Sequence, residues 1–501
     1  MCSLKSMYYL GIDIGSSSVK AMVVDADGVP LAVTSASYPT SCPRPGHVEQ
    51  DPDDWYRASC IALADLIRRA EIQPERIEGI GLSGTSHVSS LLDDDFKVIR
   101  PAILWSDQRS DLQVRQLAQE AGDLIVARTG NSINCTWSLP QITWLRQNEP
   151  EAFSRIRHIL FSKDYLAYRL TGELTADPGS AVSSQLVDVH TLEWDQDLLR
   201  LAGLKLSCVS PIHSSTTIIG YLTREAARDL GLRQGVPVVS GMLDSAAELI
   251  GVGATGPSVG VIRLGSAGGV MTISWRPEWR KGCMLYPHPI QPLWYHQAGT
   301  NAATTSLKWA VRLFGIDRAG APYSELDRLV GEVPAGADGL LFHPYLLGER
   351  APFWNSYIRG GFSGVTMDHD RPSFLRAVLE GVAYSLRDCT VLLEWNAVSD
   401  IRICGGGAAS RTWCQIIADV LGLPVCQMRL RDASAIGAAL AAVAGCSGRE
   451  LAEIAQARVK DSSRIEPDMK NHETYNSAFQ RYREVAEQYL RIFSPQTTPT
   501  Y

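Results

Sequence analysis

The sequence has no long apolar run, no Cys-x-x-Cys pair and no block of like charge, and each absence removes a class of function. Without a stretch of the ~18 apolar residues a bilayer span needs, a membrane-spanning helix is excluded. Met1–Met7 is short and polar, and the apolar run that follows breaks at Asp13, so no signal peptide is expected. The formal net charge of −7, with no Lys/Arg-rich segment, argues against a partner such as nucleic acid or an anionic membrane. Eleven cysteines are scattered without a framework, which points to reduced thiols in a cytoplasmic protein rather than a disulfide scaffold. No His/Cys group has metal-ligand spacing.

What remains is an ordinary globular composition, 45% hydrophobic and 20% charged, over 501 residues. That is too long for one hydrophobic core, so two domains are expected. Tyr8–Ile14 and Val19–Val24 read as strands around the small-residue turn Gly15-Ser16-Ser17-Ser18, and Asp27-Gly28 turns the chain into a third strand, Pro30–Ser37. Asp53–Ala70 has helical apolar spacing, with Asp51 and Asp53 as cap candidates, and Ile77–Leu82 reads as a buried strand. The opening pattern then returns. Gly260–Leu264, carrying Arg263, is a strand, Gly265–Gly269 a small-residue turn, and Val270–Ser274 a second strand. Two such hairpins suit two related α/β domains facing each other across a cleft, joined by a continuous hinge near residues 245–255. Helical, charge-mixed sequence is expected from Gly448 to about Ile492, then a polar tail, Ser494–Tyr501.

Several segments have the makings of a site. In the first turn, Gly15 permits a tight bend, while Ser16 and Ser17 offer hydroxyls and backbone amides that can cradle phosphate. Asp13, a carboxylate in an apolar strand, can orient the waters of a Mg²⁺ ion. Gly265 and Ser266 repeat this arrangement in the second turn. Gly405-Gly406-Gly407 follows the apolar Ile401–Cys404 and precedes the helical Trp413–Leu421, so a base or phosphate can approach the backbone closely. Asp244 ends an apolar strand and opens a small-residue helix, where it is either an N-cap or a base for a hydroxyl proton. Thr85-Ser86-His87 and Trp105-Ser106-Asp107-Gln108-Arg109 combine an aromatic face with polar groups, as a polyol wall does. The same residues also make a core histidine and an Asp107–Arg109 ion pair.

The order of these segments resembles that of the FGGY carbohydrate kinases. The first hairpin is followed by Gln50-Asp51-Pro52-Asp53-Asp54-Trp55, Trp105–Arg109 and Lys163-Asp164-Tyr165-Leu166. Asp244, Gly348-Glu349-Arg350 and Gly405–Ser410 then come in register. The resemblance spans residues 8 to about 445 and implies two actin-like, ribonuclease-H-like ATPase domains. These would be an N-terminal domain over residues 1–250, with the sugar wall and first hairpin, and a C-terminal domain over residues 251–492. It implies ATP and Mg²⁺ as cofactors, a small sugar as the other partner and, as is common in the family, a homodimer. It also implies that Asp244 is the catalytic base and Asp13 the metal-associated aspartate. Gly15, Ser16, Ser17, Gly265, Ser266, Gly406 and Gly407 would contact nucleotide, and Ser86, His87, Trp105 and Asp107 would line the sugar site.

Within the family the motifs look most like the xylulokinase branch, whose substrate loop usually reads Gly-Gln-Met-His-Gly. Here it reads Gly84-Thr85-Ser86-His87-Val88, and Met242-Leu243 and Ser266-Ala267 also depart from the usual residues. A changed donor set beside a polyol redirects specificity. D-xylulose is therefore the default acceptor, with ribulose, fuculose, glycerol, erythritol or gluconate as alternatives. A non-catalytic sugar-binding regulator and an actin-type ATPase are the readings from other classes.

Overall fold

The chain opens as its apolar runs predict: Tyr8–Ile14 (β1) and Ser18–Asp25 (β2) form an antiparallel hairpin, and Pro30–Ser37 (β3) pairs with β2. The computed structural model describes residues 7–316, 322–428 and 432–493, so the expected Ser494–Tyr501 tail and the first six residues lie outside the described residues. Next comes the helix Pro52–Ala70 (α1), whose start is fixed by Asp51, not Asp53: the Asp51 carboxylate accepts the Asp53 amide at 3.0 Å and Pro52 takes the first helical position. Buried Trp55, Ala58, Ser59, Ala62, Leu63 and Leu66 recur at helical spacing on the face against the sheet. The helix returns the chain so that Ile77–Gly84 (β4) lies parallel to β1.

Ile218–Tyr221 (β5) and Pro237–Val239 (β6) complete a sheet ordered β5-β6-β4-β1-β2-β3, with Met242–Leu243 (β7) also pairing with β4. The helix Asp244–Gly251 (α2) follows at once. The second half repeats the plan. Val259–Leu264 (β8) and Gly268–Ser274 (β9) form the second hairpin, with Met284–Pro287 (β10) and Trp294–Ala298 (β11) outside it. Asp400–Cys404 (β12) runs parallel to β8 and Val425–Met428 (β13) parallel to β12, as β4 and β6 do around β1. Ser462–Ile465 (β14) closes the sheet antiparallel to β13. This strand interrupts the helical sequence expected from Gly448 to about Ile492. Four residues are too few for their alternation to register in a sequence, and pairing with β13 holds them extended.

One helix of the second half ties the two halves together. Arg411–Leu421 (α3) packs within the second half, but Ala433–Ser447 (α4) crosses over to lie on β1, β4 and α2. Glycine makes that crossing possible: a Cβ on Gly437 would fall 1.9 Å from the Ala247 carbonyl oxygen, and one on Gly251 would fall 1.9 Å from that of Ala433. Gly11 and Gly81 admit the other side of α4 in the same way, at 2.1 Å and 1.9 Å from the Ala435 and Ala438 carbonyls. The resulting core mixes Ala246, Ala247 and Ile250 with Ile436, Ala439 and Leu440, so the start of the segment where a hinge is expected, residues 245–255, lies in a buried helix pair.

Candidate active site

Both hairpin turns and the start of α2 open on one cavity of about 120 Å³ between the halves. The first half contributes Ser16, Thr85, Ser86, His87, Trp105 and Asp244 to its wall; the second contributes Arg263, Ala267, Tyr286, Gln297, Arg350 and Trp354.

Asp244 is aimed by its neighbours. Its Oδ1 accepts from the Ser86 hydroxyl at 3.0 Å and from the Ser245 amide at 2.8 Å. Burial raises its pKa and the nearby Asp13 charge adds to this, while Arg263 and the two hydrogen bonds oppose it. A carboxylate so placed can accept a proton from a bound hydroxyl. The short Ser86, where the related loop usually carries a long side chain, thus bonds the carboxylate itself.

His87 has left-handed backbone, φ 63°, a conformation that non-glycine residues adopt only when their surroundings enforce it. Its Nδ1 is 2.9 Å from the Ser183 carbonyl and its Nε2 2.9 Å from the Tyr286 hydroxyl, while Trp137 meets the ring edge-on. Burial pushes its pKa down to about 4, so the ring is neutral near pH 7. Trp105 is half-buried, its ring 5.9 Å from the Arg350 guanidinium.

Asp107 is placed differently from the expectation that it lines the sugar wall. It is buried behind the loop, accepting from the Val48 amide at 2.6 Å and paired with Arg109, which also binds Glu49 at 2.7 Å. Both its oxygens are committed to holding the loop that presents Trp105. The other motif residues also brace the walls. Gln50 donates to the Ser16 carbonyl at 2.8 Å and accepts from Trp55 at 3.1 Å, and the Tyr38 hydroxyl bonds the Gly15 carbonyl, so the first turn is held from behind. Buried Lys163 pairs with Asp164 and Asp177 and donates to the Ser240 carbonyl at 2.9 Å, just before β7. Glu349 accepts from Thr300 and from the Asn301 amide, and Thr300 in turn exchanges backbone hydrogen bonds with Gly268.

At the two hairpin turns, Ser16, Ser17 and Ser266 are exposed, and among the described residues their amides donate to no protein oxygen. Gly265 bonds through its carbonyl to the Thr304 amide. Gly405 has φ 88° and would drive a Cβ to 2.8 Å from the Leu264 carbonyl, so the glycine turn abuts the second hairpin. Gly406 is exposed with open space at its Cα, whereas Gly407 is buried against Leu264 and Trp413. Asp13 accepts from Ser83 and Ser434, each at 2.6 Å. The charge set around it fits Mg²⁺. Asp13, Asp244 and Glu248 repel one another with Arg263 as nearby cation, one buried Glu248 oxygen has no hydrogen-bond partner, and the donors are all oxygen. Among the described residues no three acidic, His or Cys side chains converge to ligate a metal ion.

Sequence reasoning gave no role to Arg263, Tyr286, Gln297, Arg350 or Trp354. Arg263 had a signal, a charge inside an apolar strand beside a small-residue turn. Tyr286 and Gln297 had none, because their strands look like any others.

Two family models match the chain: the N-terminal domain of the FGGY family of carbohydrate kinases over residues 8–251 and the C-terminal domain over residues 260–446. A xylulose kinase from Bacillus subtilis is 32% identical over 483 residues, covering 95% of this chain and 96% of the relative. A gluconokinase from the same organism is 31% identical over 453 residues, covering 86% of each. The crystal structure of xylulose kinase from Rhodospirillum rubrum superposes with a TM-score of 0.88 at 31% identity, covering 97% of this chain and all of the other.

Proposed function

The chain belongs to the FGGY family of carbohydrate kinases, and on that premise we propose that it transfers the γ-phosphoryl group of ATP to a hydroxyl of a linear sugar, converting D-xylulose to D-xylulose 5-phosphate. The observation that carries this reading is the buried Asp244 carboxylate, held by Ser86 and Ser245 in a cavity whose opposite walls come from the two halves. Asp244 takes the proton of the attacking hydroxyl. Ser16, Ser17, Gly265 and Ser266 hold the phosphate chain, with Gly15 shaping the first turn, and Gly406 and Gly407 form the nucleotide side of the second half. His87, Ser86 and Trp105 face the sugar, while Asp107 acts behind the wall by fixing the Trp105 loop. A Mg²⁺ ion held near Asp13 supplies positive charge for the phosphate oxygens when bound. Closure about α2 and α4 excludes water, which would otherwise accept the phosphoryl group.

A second acceptor class has an observation of its own. The Arg350 guanidinium lines the cavity with a buried Nε that lacks an acceptor, which suits the carboxylate of an aldonate. A coupled ADP-release assay with Mg-ATP against ketoses, alditols and aldonates tests both readings, with Asp244→Asn as control. Turnover with D-xylulose that falls by about 10³-fold in the control, with ADP affinity retained, is expected. Turnover confined to aldonates would move the acceptor class. ADP release independent of any sugar would defeat the kinase reading.

A further inference from the structure

Arg263 is a charge in an apolar strand, and the topology explains its position. β1 and β8 are equivalent strands, each running antiparallel to its hairpin partner and parallel to the next strand. Asp13 is the penultimate residue of β1 and Arg263 the penultimate residue of β8; each is followed by an apolar residue, Gly and Ser. The two hairpins therefore present an acid on one side of the cleft and a cation on the other.

The guanidinium has been given room and a counter-charge, but no bonding partner. Its cross-strand neighbour is Gly269, where a Cβ would stand 3.4 Å from Nε and 3.5 Å from Nη2. Glu248, on the same helix as Asp244, lies 3.6 Å from Nη1, an ion-pair distance too long for a hydrogen bond. Glu248 is fixed from its other side by the Cys404 thiol at 3.4 Å, and Cys404 is paired with Arg263 across β8 and β12. Among the described residues the Arg263 guanidinium makes no hydrogen bond to protein, and it lines the cavity next to Asp244, Ser16 and Ala267. Its donors are thus available to an oxyanion lying between the base and the two phosphate turns.

We propose that Arg263 is a further catalytic residue, contacting the γ-phosphoryl group during transfer, and that Glu248 is the positioning residue that aims it. This rests on the kinase reading above. In the transfer the acceptor oxygen bonds to the γ-phosphorus and gives its proton to Asp244. The bond to the β,γ-bridging oxygen breaks, and ADP keeps that electron pair. Charge is spread over the oxygens of the moving group, where a planar, permanently charged guanidinium fixed beside it stabilises the developing charge.

The test uses the full-length protein and compares Arg263→Met, Arg263→Lys, Glu248→Gln and the double variant Arg263→Met/Glu248→Leu. The double variant removes both charges together, so no carboxylate is left buried and unpaired. Arg263→Met is expected to lower kcat by about 10³-fold, with ADP affinity by calorimetry within about threefold of wild type. It should also lose the tight complex that ADP, aluminium fluoride and the sugar form in place of the transferring group. Arg263→Lys should recover part of the rate, and Glu248→Gln should lower kcat by about tenfold at constant ADP affinity. The double variant should melt near wild type and remain as slow as Arg263→Met. A folded Arg263→Met or double variant turning over within about threefold of wild type would overturn the role of Arg263. Wild-type protein without sugar-dependent ADP release would sink the kinase reading itself, so the two failures are distinguishable.

Discussion

The Tyr286 hydroxyl, from β10 of the second half, donates a 2.9 Å hydrogen bond to His87 Nε2 of the first. The direction follows from the other ring nitrogen: the Ser183 carbonyl 2.9 Å from Nδ1 can only accept, so Nδ1 carries the proton and Nε2 must receive one. This bond spans the cleft on the wall of the cavity and leaves the Tyr286 oxygen lone pairs able to accept from a bound hydroxyl.

Tyr286→Phe keeps the ring packing against Tyr295 and removes only the hydroxyl. It is expected to raise the acceptor KM by roughly five- to tenfold, the equivalent of about 1 kcal/mol, while ADP affinity stays constant. Steady-state kinetics with the best acceptor check this. An unchanged KM would mean that the bond serves only the fold.

The α2–α4 crossing makes a stronger demand. Any side chain on Gly437 meets the Ala247 carbonyl, a backbone group that cannot rotate away. Gly437→Val should therefore cost about 3 kcal/mol or more of stability, or force the halves apart and abolish sugar-dependent turnover. Urea unfolding and a scattering profile would read the two effects separately. Wild-type stability together with wild-type activity would refute the tight crossing.

His343, remote from the cavity, isolates a pH effect. Its ring stacks on Tyr482 at 4.3 Å, Nε2 is 2.9 Å from the Tyr482 carbonyl, and burial pushes its pKa down to about 4. The unfolded histidine titrates near 6.5, so the unfolded state binds more protons between these values. The stability this group supports is complete above about pH 6.5 and is lost as pH falls towards 4. Buried Asp164 and Glu349, raised to about 7, have the opposite sign, so total stability mixes the two slopes. The difference between wild type and His343→Gln removes the shared part. It should shift against wild type by roughly 2–3 kcal/mol between pH 7 and 4.5, measured by urea unfolding. A difference that does not change with pH would show that His343 does not titrate on unfolding.

Much of the plan is local and was legible in the chain. The first hairpin, α1 with its acidic cap at Asp51 or Asp53, β4, the second hairpin and the strand-to-helix position of Asp244 all follow from apolar periodicity, turn residues and capping chemistry, and the structure chooses Asp51. The ordered motifs also identified the family. β14 was missed because a four-residue edge strand is stabilised by its partner rather than by its own pattern.

Alone, the sequence determined which residues turn, which are buried and where a carboxylate stands at the mouth of a strand, because these depend on neighbours a few residues away. Only the tertiary structure decided what each charged group faces. Asp107 and His87 both stand in polar loop segments that follow apolar runs, yet Asp107 is taken up by Arg109 and the Val48 amide while His87 meets Tyr286. Arg263 stands beside Asp244 because glycines let α2 and α4 approach closely enough to bring the two sheets around one cavity. Such long-range juxtapositions are set by sheet order and helix crossing, and the periodicity of a single segment carries no information about them.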